Sequence, residues 1–348
     1  MSADDLLLER RGQMGLIRLN RPQALNALTL EMTRRLDQAL REWAVDPHVS
    51  LVAIRGEGPR AFCAGGDIRA LYDAGPGSSY TEIFYRHEYA LNRRIFRFPK
   101  PYVALVDGIV MGGGVGVSAT GSHFIATERT LFAMPETGIG LFPDVGATWL
   151  LPRCPGESGI YLGLTGTRVA AADLIALGIA KAMVPSAALD GLEAELAECK
   201  TAAEVDLLLD RYNTDPGNPT LAPYRDTIDR CFSAPTVEDI LSALEKEATD
   251  WARDTIAILR TKSPTSLKVS LRQLRLGRTL PDFETAMRLE FRLMQRFMAG
   301  GDFFEGVRAL IIDKDQRPRW SPDRLEAVSE AMVDAYFAPL ERELELPD

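Results

Sequence analysis

The chain has 348 residues, more than the roughly 100–200 of one ordinary domain, so a single core with an extension fits its length. A net charge of -9, with no basic block to track a phosphate backbone, argues against nucleic acid as a main partner. No stretch approaches the about 18 apolar residues of a membrane span, and the acidic start Met1-Ser2-Ala3-Asp4-Asp5 has neither a secretory nor an Arg-rich transit leader, so no membrane partner and a cytoplasmic setting are expected.

Met14–Leu19 reads as a strand ended by Asn20-Arg21-Pro22. A helix follows from Thr29, with Met32, Leu36, Leu40 and Trp43 at helical spacing, and Asp46-Pro47 ends it. Leu51–Arg55 and Tyr102–Val106 are further strands, and Phe124–Ala126 and Leu131–Ala133 are two more short candidates. Strands alternating with helical patterns predict a layered α/β fold. After about residue 185 the strand signals fade. Leu192 to Leu209 reads as helix, Arg211 to Pro223 as a linker loop, and the chain from Thr236 as almost wholly helical. Ser263-Pro264 is a helix start, and Ala286 to Met298 carries Met287, Phe291, Met294 and Phe297 on one stripe that reads as core packing.

Cys63, Cys154, Cys199 and Cys231 lie far apart, without metal-ligand or redox-motif spacing, and read as free thiols of a reducing compartment. His48, His87 and His123 form no metal-binding pattern, so metal catalysis and a Ser-His-Asp triad have weak support.

Three segments carry chemistry. Ala61-Phe62-Cys63-Ala64-Gly65-Gly66-Asp67-Ile68 follows the Leu51 strand and reads as a strand-to-helix turn with Asp67 as N-cap. Met111-Gly112-Gly113-Gly114-Val115-Gly116 follows the Tyr102 strand and fits neither a dinucleotide fingerprint nor a phosphate-binding P-loop. Both turns offer backbone N–H groups suited to an oxyanion. The third segment, Met134 to Ala147, is apolar except for Glu136 and Asp144, with no Lys or Arg between them. A buried carboxylate needs a partner or a proton, so two in one greasy loop need a reason beyond a helix cap or a turn. Two N–H donors plus a carboxylate make an acyl-transfer or enolate site.

These segments, in this order, resemble the enoyl-CoA hydratase/isomerase (crotonase) superfamily. The resemblance implies a crotonase-like core of repeated ββα units over residues 1–200, holding the oxyanion hole and the acids, and a helical C-terminal extension over 201–348. It implies an acyl-CoA thioester as substrate, with its oxygen between the N–H groups of Gly66 and Gly113, and Glu136 as the catalytic acid. Members of the family that add water use two glutamates, and the position of one is held here by Gly116. A carboxylate appears at Asp144 instead.

The strings MPETGIGLFPDVG, KPYVALVDGIVMGGGVG, KSPTSLKVSLRQL and DFFEGVRALIIDKDQRPRW resemble the 3-hydroxyisobutyryl-CoA hydrolase branch of that superfamily, from about residue 10 to about 340. That resemblance implies hydrolysis of a 3-hydroxyacyl-CoA thioester, 3-hydroxyisobutyryl-CoA of valine breakdown, to the free acid and CoA. Glu88 stands at a further substrate-binding position. Glu136 activates water or attacks the carbonyl, and Asp144 binds the 3-hydroxyl, orients water or protonates the leaving sulfur. No cofactor is implied, since CoA is part of the substrate, and a homo-oligomer is compatible. Arg60, Arg69 and Lys100 read as surface charges rather than phosphate ligands. The competing readings are an enoyl-CoA hydratase or isomerase, which can run on one acid, and a non-catalytic acyl-CoA binding protein, which has no need of buried acids.

Overall fold

The computed structural model describes residues 5–346, and the acidic start at Met1–Asp4 lies outside them. The chain forms two compact units. Unit one comprises Met1–Gly66, Ala90–Phe132 and Val169–Ala222; unit two comprises Asp67–Tyr89, Ala133–Arg168 and Pro223–Asp348. This division interleaves along the chain rather than falling at residue 200, because segments 67–89 and 133–168 go with the C-terminal helices. No helix among the described residues is long and apolar enough to cross a membrane.

The strands are β1 (Leu6–Arg11), β2 (Met14–Leu19), β3 (Leu51–Gly56), β4 (Ala61–Cys63), β5 (Tyr102–Val106), β6 (Ile109–Met111), β7 (His123–Ala126), β8 (Leu131–Ala133) and β9 (Ala182–Met183). A six-stranded sheet has the order β1-β2-β3-β5-β7-β9. Only the β1–β2 hairpin in it is antiparallel; the remaining pairs are parallel, with Leu16 opposite Ala53 and Ile54 opposite Ala104. Alternate residues of a strand face opposite sides. Met14, Leu16, Leu51, Ala53, Val103, Leu105 and Ile125 therefore share a face, and they pack on Leu189, Leu192, Leu196, Val205 and Leu209 of two helices. On the other face Gly15 leaves room for the Trp43 ring, which a Cβ there would meet at 2.5 Å. That ring belongs to the helix Leu30–Val45, capped by Thr29 as expected, its hydroxyl accepting the Met32 N–H at 3.2 Å.

A second, three-stranded sheet has the order β4-β6-β8. Its three-residue strands are too short to show a period, and β4 and β6 had no strand signal in the sequence. The expected helix across 192–209 is two helices, Leu189–Leu196 and Ala202–Tyr212, the second capped by Thr201. No Gly or Pro marks the break; the Thr201 side chain accepting the Glu204 N–H fixes the restart.

Unit two is mainly helical from Arg225 to Ile312, and the almost wholly helical chain expected from Thr236 gives way to irregular backbone over most of 313–329. Val237–Glu247, Asp250–Arg260, Pro264–Gly277 and Phe283–Ala299 start at Thr236, Thr249, Ser263 and Asp282, each accepting an N–H of its own first turn. Their apolar stripes bury Phe283, Phe291 and Phe297, with the Phe142 ring tilted against Phe297 at 5.4 Å between centroids. The first part of helix Ser79–Phe96 also lies here, bringing Tyr85, Glu88 and Tyr89.

Candidate active site

In unit one, β4 runs into Gly65 and Gly66, while its parallel neighbour β6 runs into Gly112 and the short helix Gly113–Gly116. Two glycines let these turns press backbone against backbone. A Cβ on Gly114 would lie 2.2 Å from the Cys63 carbonyl oxygen. Gly65 has φ +116, reserved for glycine, and its missing Cβ would stand 3.8 Å from the Gly113 nitrogen. The two turns that carry the expected donors Gly66 and Gly113 thus lie side by side. Gly113 opens its helix, so its N–H has no intrahelical partner. Among the described residues Gly66 N–H takes no part in the hydrogen bonds that tie its neighbours, Leu28 N–H to Gly65 O at 2.9 Å and Ala64 N–H to Leu25 O at 3.0 Å. Asp67 caps Ile68–Ala74 through the Ala70 N–H, as the sequence predicts.

In unit two, Glu136 opens a single 3-10 turn, Glu136–Ile139. The turn is fixed at Thr137, whose hydroxyl donates to Leu164 O and whose carbonyl accepts the Ser263 N–H. Asp144 lies on the loop before Ala147–Leu150 and accepts the Tyr89 hydroxyl at 2.8 Å. Glu88, beside Tyr89 in sequence, and Glu290 of helix Phe283–Ala299 complete the group. Relative exposures are 2% for Glu88, 5% for Glu136, 5% for Asp144 and 0% for Glu290, so water screens none of them. Glu88, Glu136 and Asp144 are therefore brought together as the sequence predicts. Glu290, Tyr85, Tyr89 and Lys262 were not foreseen.

Four buried acids cannot all ionise at neutral pH. Burial raises Asp144 to about 7, against the opposing pull of the Tyr89 hydroxyl and a backbone N–H. Burial first, then the Asp144 charge, raises Glu290 to about 8, although Gly146 and Thr148 N–H groups favour its ionised form. Glu136 is raised well above the usual carboxylate range by burial and by Asp144, and Lys262 is the cation that opposes the shift. Glu88 is raised in the same way by burial, Asp144 and Glu290. Burial thus favours the protonated form of all four, and the Asp144 charge adds to the shift of the other three. Glu88 Oε1 and Glu136 Oε2 are buried with no hydrogen-bond partner among the described residues. Two unpartnered carboxyl oxygens beside a charged one are costly for stability alone and suit a site that binds or moves a proton.

Gly116 is buried in its helix and brings no acid there. Arg60 and Arg69 are exposed, and Lys100 donates to Trp43 O at 2.6 Å and Asp46 O at 2.8 Å, tying down the end of a helix. All four cysteines are buried and none forms a disulfide.

Comparison with known proteins gives one family. A family model described as enoyl-CoA hydratase/isomerase matches residues 14–337. The protein named "3-hydroxyisobutyryl-CoA hydrolase, mitochondrial" of Danio rerio is 47% identical, covering 99% of this chain and 92% of its own. Its Homo sapiens namesake is 44% identical, covering 97% and 90%. Among solved structures, a carnitinyl-CoA dehydratase from Mycobacterium thermoresistibile superposes with TM-score 0.93 at 39% identity, covering 99% of each chain. An enoyl-CoA hydratase from Rhodobacter sphaeroides 2.4.1 gives 0.91 at 42%, covering 98% and 99%. These relatives are named as mitochondrial proteins, which overturns the cytoplasmic expectation drawn from the first residues.

Proposed function

The chain belongs to the enoyl-CoA hydratase/isomerase family, alongside its 3-hydroxyisobutyryl-CoA hydrolases, and from that premise we propose that it cleaves the thioester of a 3-hydroxyacyl-CoA. The substrate is 3-hydroxyisobutyryl-CoA and the products are 3-hydroxyisobutyrate and CoA, a step of valine breakdown. The observation that carries this reading is the buried carboxyl cluster of unit two, with Asp144 taking the Tyr89 hydroxyl and an oxygen of Glu136 left unpartnered among the described residues.

Cleavage needs negative charge held on the carbonyl oxygen, a nucleophile, and a proton for the leaving sulfur. The N–H groups of Gly66 and Gly113 supply the first, and donors of this kind are worth about 3–4 kcal/mol each. Glu136 takes the proton of the attacking water, or attacks the carbonyl carbon itself and is released by water. By either route the C–S bond breaks, a C–O bond forms and the sulfur leaves with a proton. Glu136 does this work in its ionised form, which Lys262 favours, while burial and the Asp144 charge favour the protonated forms of Glu88 and Glu290, which suits return of a proton to sulfur. Asp144 and Glu88 receive the 3-hydroxyl end of the substrate.

The solved neighbours named hydratase and dehydratase raise a second reading, water addition to an enoyl-CoA. A panel of 3-hydroxyacyl- and 2-enoyl-CoA esters separates the two. Free thiol from the 3-hydroxy esters supports hydrolysis. Loss of enone absorbance without thiol supports hydration and displaces the hydrolase reading.

A further inference from the structure

Helix Phe283–Ala299 buries one stripe, including Met287, Phe291, Met294 and Phe297. Glu290 stands on that stripe at 0% exposure, where an apolar side chain packs without desolvating a carboxyl. Its two oxygens accept the N–H groups of Gly146 and Thr148, each at 2.9 Å. Gln273, on helix Pro264–Gly277, donates to Pro143 O at 2.6 Å and to Thr148 Oγ1 at 2.7 Å. These bonds fall on both sides of Asp144. Between them Val145 has φ +52, a left-handed conformation that a β-branched residue keeps only when its surroundings impose it.

We infer that Glu290 and Gln273 are positioning residues for Asp144, clamping the strained Pro143–Thr148 loop so that the Asp144 carboxylate meets Tyr89. The inference rests on the reading of Asp144 as an acid of a hydrolase site. The groups whose charge bears on or responds to Glu290 are Asp144 on the loop, Glu88 and Tyr89 on helix Ser79–Phe96, and Glu136; Lys262 acts on the group through Glu136. Arg86, stacked 4.4 Å from the Phe291 ring, is paired with Glu82. Burial first, and the Asp144 charge after it, raise Glu290 to about 8. Ionising Glu290 as well sets two like charges against each other across the loop that it holds.

The test compares Glu290→Gln and Gln273→Leu with the parent chain, after circular dichroism has verified folding. Glu290→Gln keeps one acceptor for the loop and removes the second ionisation. Thiol release should fall about a hundredfold in kcat in both, with KM unchanged. The alkaline descent near 8 should vanish only in Glu290→Gln. An unchanged kcat in both, or a fall that leaves the alkaline limb in place in Glu290→Gln, overturns the inference. A second readout needs no turnover. In isotope-edited infrared titration, the Glu290 carboxyl band should move down from about 8 in Asp144→Asn. A band that stays overturns the coupling and the inference with it. Should Glu290→Gln not fold, Gln273→Leu and this titration decide. A parent chain that releases no thiol from any 3-hydroxyacyl-CoA removes the hydrolase reading alone and leaves the titration to judge the clamp.

Discussion

Tyr89 donates its hydroxyl to Asp144 Oδ2 at 2.8 Å, both groups being buried, and this bond is the strongest influence favouring the ionised form of Asp144. In Tyr89→Phe the carboxylate loses its donor, so its midpoint should rise from about 7 and the acid limb of the pH–rate profile should move to higher pH. Loss of the buried bond should cost about 1–2 kcal/mol in denaturant unfolding. An acid limb that stays in place separates Asp144 from the rate.

The buried acids also make stability depend on pH. Their pKa values are raised on folding, so the folded chain binds more protons than the unfolded chain between the ordinary carboxylate value and the raised one. Their contribution is fully present below the unfolded values. It falls as pH rises, through about 7 for Asp144 and about 8 for Glu290. The denaturant midpoint should therefore drop between pH 5 and pH 9, and Asp144→Asn should flatten that drop.

Gly114→Ala tests the glycine turns of unit one. Its Cβ would lie 2.2 Å from the Cys63 carbonyl oxygen, a backbone atom that has little freedom to move. The substitution should cost about 3 kcal/mol of stability. The folded fraction should lose about 100-fold in kcat, because Gly113 N–H shifts with the turn. Full activity per folded molecule would remove that N–H from the reaction.

Glu193 of unit one serves as a contrast. It is 3% exposed at its side chain and accepts from Arg11 and Arg18 at 2.6 Å each and from Arg55 at 3.0 Å. Glu193→Ala should lower stability by about 2–3 kcal/mol, less than for a fully buried pair because the guanidinium groups are partly solvated. Thiol release per folded molecule should be unchanged.

The sequence made legible those features that a single residue type announces. Thr29 and Ser263 cap helices because a hydroxyl there takes an orphan N–H, and both helices begin where those residues stand. The long central strands were legible from β-branched and apolar runs. β1 was not, since LLLERR ends in charges that an edge strand tolerates. The strands β4 and β6 exist through pairing, which no local window displays. Glu136, Asp144 and Glu88 were found by motif and resemblance. Glu290 was overlooked although its signal was present: a lone carboxylate three residues after Met287 on a stripe read as plain core. Tyr89 had no such signal, because a tyrosine on a buried helix face reads as packing until its partner is seen. The interleaving of the two units is also invisible to composition, since segments 67–89 and 133–168 differ little from their surroundings.

The most direct measurement is the initial rate of free thiol from 3-hydroxyisobutyryl-CoA with the parent chain, Glu136→Gln and Asp144→Asn. Hydrolysis through the buried acids predicts thiol release by the parent and a loss of about 100-fold or more in each folded variant. Parent-like rates in both variants, or no thiol from the parent, would contradict it.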